Sequence, residues 1–466
     1  MSTGLVQARR HGKPRVLLFG GDGGDRNLGD QAMLINTVAR IRRFLPEASI
    51  TVMAGKPERL PDLADVRRVQ WPEASAGGSK QPNRSLRIPG LWRLWRLPAL
   101  MQGVSLVRAA RRRRHTGLLP ADPSKGAAEL LTLIQDADLV VNYGSGGLND
   151  IWARSVVYPW SFCYLAAHAL GKRVMVTGQG IGPLSHFLDR WLLCTALNRV
   201  DLITVRDCHD SMELLHRGRV RTPLLRIAAD DALSLDPAPQ VIARKTLEEE
   251  GVPASRPLVA MQFRDTAFDR EVGQQDRTLM AAIADHLVEK MGAHIVFVST
   301  VYNEVHRVDD RAAAQSVVSQ MRHAEHATVL QGVYDPPTVK SLIAEADLAI
   351  GTSYHFQIFG LATQRPTIGL YKGRYYRQKA HGLFGHFGRT DSIFDLERCS
   401  AEEVLRQALM AMEDREQLAK SGEVVIRQMN EALDATWSHV AGWFAADGAK
   451  HQVPAVPTSV PTVVTR

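Results

Sequence analysis

The sequence predicts an α/β protein with two parallel-sheet domains, and three observations carry that prediction. Short apolar runs rich in β-branched residues alternate with longer helical patterns along most of the chain, the signature of βαβ units. The 466 residues exceed what one hydrophobic core supports, since single cores stop growing near ~250–300 residues. Between the halves, Asp236-Pro-Ala-Pro-Gln240 breaks both periodicities and reads as a linker. The expected division is 1–235, 241–445 and a tail at 449–466. In that tail Pro454, Pro457 and Pro461 among Val and Thr leave little to pack, so disorder is expected.

In the first half, strands are expected at Arg15–Phe19, Ser49–Met53, Ala137–Val141, Arg173–Thr177, Leu202–Val205 and Leu224–Ile227, with a helix over Gln31–Phe44. The second half repeats the plan. Strands at Leu258–Gln262, His294–Ser299, Thr328–Leu330, Leu348–Ile350 and Thr367–Leu370 alternate with helices near Arg277–Lys290, Pro337–Glu345 and Phe356–Ala362. Glu402 to Phe444 carries a helical pattern interrupted by turn residues such as Gly422.

Hydrophobic content of 45%, charged content of 23% and a mean hydropathy of −0.15 match soluble globular chains and exclude fibrous or wholly disordered classes. The net charge of +8 is local. Ala74 to Ala121 holds ten Lys and Arg residues and no acid, which leaves the remainder at −2. A nucleic-acid partner is therefore not implied. No apolar run reaches the ~18–20 residues of a membrane span, and Val16 to Phe19 is too short for a signal-peptide core, so a cytoplasmic location is expected. Cys163, Cys194, Cys208 and Cys399 form no CxxC pair and offer no zinc spacing, so no metal site is expected.

Three glycine-rich loops follow predicted strands: Phe19 to Asp30, Val140 to Asp150, and Thr177-Gly-Gln-Gly-Ile-Gly-Pro183. Ligands of open α/β sheets bind at the carboxyl ends of strands, so three such loops in one half point to a ligand cleft. The first lacks both GxGxxG and GKS/GKT, and its aspartates would repel phosphate. It reads equally as a turn whose Asn27 and aspartates cap the next helix. Arg206 and Arg264 stand where strands stop, and two such forks from two domains could clamp an anion. Each reads equally as half of an Arg–Asp pair tying down a loop. Gly351 to Lys372 forms a strand–turn–helix–strand unit with His355 at the helix start, where an imidazole can hold a proton and the helix end attracts anions.

The order Asn27-Leu-Gly-Asp30, Gly146-Gly147, Gly178-Gln-Gly-Ile-Gly-Pro183, Val205-Arg-Asp207 and Gly351 to Lys372 resembles the polysaccharide pyruvyl transferase family. The resemblance covers roughly Val16 to Lys372 apart from the basic insert. It implies two Rossmann-like domains in a GT-B-like arrangement with an inter-domain cleft. It also implies transfer of the pyruvyl carbons of phosphoenolpyruvate onto two hydroxyls of a sugar as a ketal, in an exopolysaccharide or its lipid-linked precursor, with no cofactor. One departure stands out: the family usually has Arg-x-His where this chain has Ser353-Tyr354-His355. Arg206, Arg264, Lys372 or Arg374 are the residues that could compensate.

On this reading His355 is the catalytic residue, as acid or phosphate contact. Asn27, Asp30, Gly146, Gly147, Gln179, Arg206, Arg264, Ser353 and Lys372 bind substrate. Two alternatives stay open: a GT-B-like glycosyltransferase using a nucleotide sugar, and a catalytically silent member that binds glycans or scaffolds an assembly complex. In the insert, Leu91-Trp-Arg-Leu-Trp-Arg-Leu97 and Arg111 to Arg114 suggest peripheral contact with the inner face of the plasma membrane. Pro89 and Pro98 are expected to confine any helix there to short pieces.

Overall fold

Buried apolar runs become strands, as patterning demands. β1 (Arg15–Phe19), β2 (Ser49–Ala54), β3 (Val66–Gln70), β4 (Leu139–Asn142), β5 (Ser145–Leu148), β6 (Arg173–Ile181), β7 (Leu202–Val205) and β8 (Leu224–Ile227) build one sheet in this computed structural model. The structure describes residues 13–21, 27–72, 96–118, 124–264, 273–303 and 308–445. The sheet order is β3-β2-β1-β4-β6-β7-β8, with β5 paired to β6, and every pairing is parallel.

The second sheet takes β9 (Leu258–Gln262), β10 (His294–Phe297), β13 (Ala327–Val329), β14 (Leu348–Gly351), β15 (Thr367–Tyr371) and β16 (Ile393–Asp395), in the order β13-β10-β9-β14-β15-β16. Its ladders are parallel throughout. A short antiparallel pair, β11 (Tyr302–Asn303) with β12 (Val308–Asp309), sits beside it. Each sheet reverses its winding, between β1 and β4 and between β9 and β14. The carboxyl ends at such a switch point leave a crevice.

Sequence reading missed β3, β5 and β16. β3 is an edge strand of sequence VRRVQ with no buried residue, so it lacks the apolar run that signals a central strand. β5 lies inside the second glycine loop and pairs only with the end of β6. The helix Arg415–Gly442 runs through Gly422, and the break falls at Asp414 instead. Propensity alone makes Gly a weak breaker, costing about 1 kcal/mol, which packing overrides.

The helix Arg96–Thr116 corrects the expectation of short pieces in the insert. Pro98 lies in its first turn, where a missing N–H removes no intrahelical bond. Ala99, Leu106, Ala109 and Ala110 are buried, and the ring of Phe162 on helix Tyr158–Ala169 abuts Gly103. Arg96 is buried and gives two bonds to Asp189, at 2.7 and 2.6 Å. The rest of the insert, 74–95 and 119–121, and the tail 449–466 lie outside the described residues.

The two sheets share an apolar cluster that runs from Leu28 and Met33 through Tyr354, Phe356 and Phe359 to Trp437. Helix Arg415–Gly442 returns to the first sheet: Asp434 pairs with Arg40 and Arg43 of helix Leu28–Phe44, and Arg226 on β8 donates to Thr436. Lys340 is buried and donates to the carbonyls of Leu233 and Leu235, at 2.9 and 2.6 Å.

Candidate active site

The crevice between the sheets is built from strand ends. The first sheet supplies the start of helix Leu28–Phe44, the β5 loop, Gly180, Arg206 after β7, and Asp230 and Asp231 after β8. The second supplies Arg264 after β9, Thr300 after β10, Ser353-Tyr354-His355 after β14, and helix Arg374–His386. That helix bridges the crevice: the Tyr375 hydroxyl donates to the Gly146 carbonyl at 2.9 Å and Gln378 Nε2 to the Ile181 carbonyl at 3.1 Å.

Arg206 is buried and pairs with Asp230 at 2.6 Å. Its guanidinium lies over the Tyr354 ring, 4.4 Å from the centroid. Its Nη2 is buried with no hydrogen-bond partner among the described residues. That nitrogen is flanked by Gly146 and Gly180, where a Cβ would stand 2.7 and 3.0 Å from it. Bare backbone at these two positions is what lets the guanidinium reach the pocket. Lys379 adds a second cation, 4.7 Å from the Tyr354 centroid and 4.9 Å from that of Tyr375. Burial, and then the charge of Arg206, push its ammonium well below the usual lysine range. These residues line a small pocket. Asp207, also at its wall, is turned to the N–H and hydroxyl of Ser211.

His355 enters from the second sheet and rests on the first. A Cβ built on Gly29 would fall within its imidazole, so the glycine of Asn27-Leu-Gly-Asp30 is the seat of the ring. Nε2 of His355 is buried without a hydrogen bond, 3.9 Å from Asp230 Oδ2. Burial, then the charges of Lys379, Arg206 and Arg264, hold the imidazole well below its ordinary value, so it is neutral. Asp231 is also buried, its carboxyl oxygens unbonded among the described residues. Burial raises it to about 7, against the attraction of Arg40.

Arg264 is tied by Asp310, with Nε to Oδ1 at 3.2 Å, and its Nη2 donates to Thr300 Oγ1 at 3.1 Å. Thr300 Oγ1 donates on to Ser353 Oγ at 2.9 Å. A guanidinium following β9 thus stands one hydroxyl away from Ser353. Both strand-end arginines are ion-paired: Arg206 with Asp230 rather than with its neighbour Asp207, and Arg264 with Asp310. Asp265 lies outside the described residues.

The remaining expected residues divide. Asn27 caps helix Leu28–Phe44 by accepting from Gly29 N–H and donates to Asp30 at 3.0 Å. Asp30 attracts Lys379. The Leu28 N–H donates to the Thr300 carbonyl at 3.0 Å, so this motif also joins the sheets. Gly147 donates to Ser145 Oγ. Gln179 is fully buried and donates to Asn142 Oδ1 and the Tyr143 carbonyl, tying strand ends behind the pocket. Lys372 pairs with Asp276 at 2.8 Å and is not brought to the pocket. Sequence reasoning missed Tyr375, Lys379, Asp230 and Asp231. A Tyr-Tyr-x-x-Lys spacing one helix turn after β15 was the available signal for the first two.

The sequence profile of the polysaccharide pyruvyl transferase family matches residues 27–372, more than half of the chain. The chain belongs to that family. The matched span of this pyruvyl transferase family member contains Gly29, Arg206, Arg264 and His355, while Tyr375 and Lys379 lie beyond it. No curated protein sequence matches significantly. Among solved structures, a glycosyltransferase from Rickettsia africae ESF-5 superposes with a TM-score of 0.54 at 10% identity, covering 94% of this chain and 100% of that one. HepE from Anabaena in complex with UDP-glucose gives 0.52 at 12% identity, over 92% and 98% of the two chains. A UDP-N-acetylglucosamine 2-epimerase gives 0.53 at 11%, over 92% and 97%. At such identity these likenesses show the fold alone: two parallel α/β sheets as in GT-B glycosyltransferases. Among the described residues no helix is long and apolar enough to cross a membrane.

Proposed function

We propose that the crevice takes phosphoenolpyruvate and transfers its pyruvyl group, as a ketal, onto a sugar of an exopolysaccharide or its lipid-linked precursor. The observation that carries this reading is the buried, unbonded Nη2 of Arg206 beside Lys379 in a pocket lined by bare glycine backbone, within a chain of this family.

The chemistry needs little beyond positioning and charge. A proton is added to the methylene carbon of the enol phosphate, leaving a cationic carbon. A first sugar hydroxyl attacks that carbon and loses its proton. The carbon–oxygen bond to phosphate then breaks, phosphate leaves with the electron pair, and a second hydroxyl closes the ketal and gives up its proton. Arg206 and Lys379 would hold the donor's phosphate and carboxylate, with Arg264 adding its charge from across the crevice. Neutral His355 is suited to take a hydroxyl proton. An incoming phosphate dianion beside it would raise its proton affinity, so that the same ring could return a proton to the leaving group.

Incubation of purified protein with phosphoenolpyruvate and a panel of oligosaccharide acceptors should release phosphate and add the mass of a pyruvate ketal. Calorimetric binding of nucleotide sugars with none of phosphoenolpyruvate would replace this reading with glycosyl transfer. Full retention of the cellular phenotype by His355→Ala would point to a silent, glycan-binding role.

A further inference from the structure

Helix Arg96–Thr116 has a face that packing does not use. Its inner face, Arg96, Ala99, Gly103, Leu106, Ala109 and Ala110, is buried. On the outer face, positions 97, 101, 104, 108, 111 and 112 recur at helical spacing. Leu97 is 61% exposed, Met101 73% and Val104 42%; Arg108, Arg111 and Arg112 are exposed beyond them. The stripe thus changes from apolar to cationic along its length, and the helix contains no acid.

The buried Arg96–Asp189 pair sets the start of this stripe against helix Phe187–Leu197. There Phe187 and Trp191, one helical turn apart, are 64% and 58% exposed. Single exposed apolar residues are ordinary, but five on two helices pinned together by one ion pair, beside three arginines, are a surface with a partner.

We propose that this face docks on an anionic lipid surface. The charge decides the occupant: lipid headgroups supply the negative charge that three arginines, ion-paired with no acid among the described residues, require, and the apolar end needs the acyl boundary beneath them. Tryptophan favours that interface, where Trp191 would sit beside the exposed Leu97 and Met101. Arg113 donates to Thr132 and Arg114 lies against Gly171, so neither belongs to the docking stripe. The inference stands on the surface alone and not on the reaction in the crevice.

The test is vesicle flotation of the full chain. Binding is expected on phosphatidylcholine mixed with phosphatidylglycerol, weakly on phosphatidylcholine alone, and should fall as salt shortens the Debye length from ~30 Å at 0.01 M to ~8 Å at 0.15 M. Arg108→Ser with Arg111→Ser and Arg112→Ser should lower partitioning on the order of a hundredfold. Leu97→Ser with Met101→Ser, and Trp191→Ser, should each weaken it at unchanged melting temperature. Val333→Ser, at an exposed apolar site elsewhere, should leave it intact. Met101→Ser alone carries the same test if a multiple variant fails to fold. Equal binding by wild type and variants, or equal binding to neutral vesicles, overturns the proposal. So does self-association abolished by Leu97→Ser with Met101→Ser in a chain that ignores vesicles, which would assign the face to a second copy.

Discussion

The imidazole of His355 lies on the backbone of Gly29, although the two residues come from different sheets. No side chain fits between them. The catalytic candidate following a strand of one sheet is thereby positioned by a glycine of a helix on the other, and the geometry of the crevice depends on how the two sheets meet.

Gly29→Ala should therefore act at the interface. Forcing a methyl into the ring position is overpacking, worth roughly 1–3 kcal/mol of stability, and it should displace His355 and abolish turnover. In a double-mutant cycle, His355→Ala should restore most of the lost melting temperature, since the two residues are in direct contact. Additive losses in thermal melts would show that the contact is absent.

Arg206 separates charge from shape. Arg206→Met would leave Asp230 buried without its partner and should cost about 3–5 kcal/mol. Arg206→Lys keeps the charge yet loses the second nitrogen and the plane stacked on Tyr354. It should fold better than the Met variant and raise the KM for phosphoenolpyruvate by about tenfold or more, the worth of one charge-assisted bond. An unchanged KM would remove Arg206 from the donor site.

Lys379→Met removes a positive neighbour that depresses His355, so the imidazole should titrate at higher pH. If neutral His355 accepts the hydroxyl proton, the acid limb of kcat/KM should move to higher pH with it. Proton NMR of the ring and a pH–rate profile together check this. The same burial has a stability consequence. The unfolded chain takes up a proton at His355 below ~6.5 while the native state resists it, so this group lowers stability as pH falls through that value. His355→Gln should flatten that part of the melting curve.

Asp231 has the opposite sign. Its folded value, about 7, lies above the ordinary carboxyl value, so its contribution is fully present below pH ~4 and is lost as pH rises toward 7. Asp231→Asn should match the wild type near pH 4 and exceed it at pH 8, by at most about 4 kcal/mol. Parallel stability–pH curves for the two proteins would show that Asp231 ionises freely.

The parts of the site legible in sequence are those set by local chemistry. Apolar runs such as Leu202–Val205 and Leu348–Gly351 announce strands because their residues are buried on both faces. Asn27 announces a helix start because its side chain satisfies a free N–H there. Glycine loops at strand ends announce a crevice because the carboxyl ends of parallel strands open there at a switch point.

What sequence alone determined was therefore the alternation of strands and helices, the glycine loops and the presence of Arg206, Arg264 and His355 at strand ends. Tertiary structure decided their partners. Arg206 takes Asp230 and not Asp207, Arg264 takes Asp310, Lys372 is drawn away to Asp276, and Lys379 arrives in its place. Pairing is set by which strand ends the sheet order makes neighbours. Strands adjacent in space, such as β9 and β14, are far apart in sequence, and a buried charge takes whichever counter-charge that order brings within hydrogen-bonding distance.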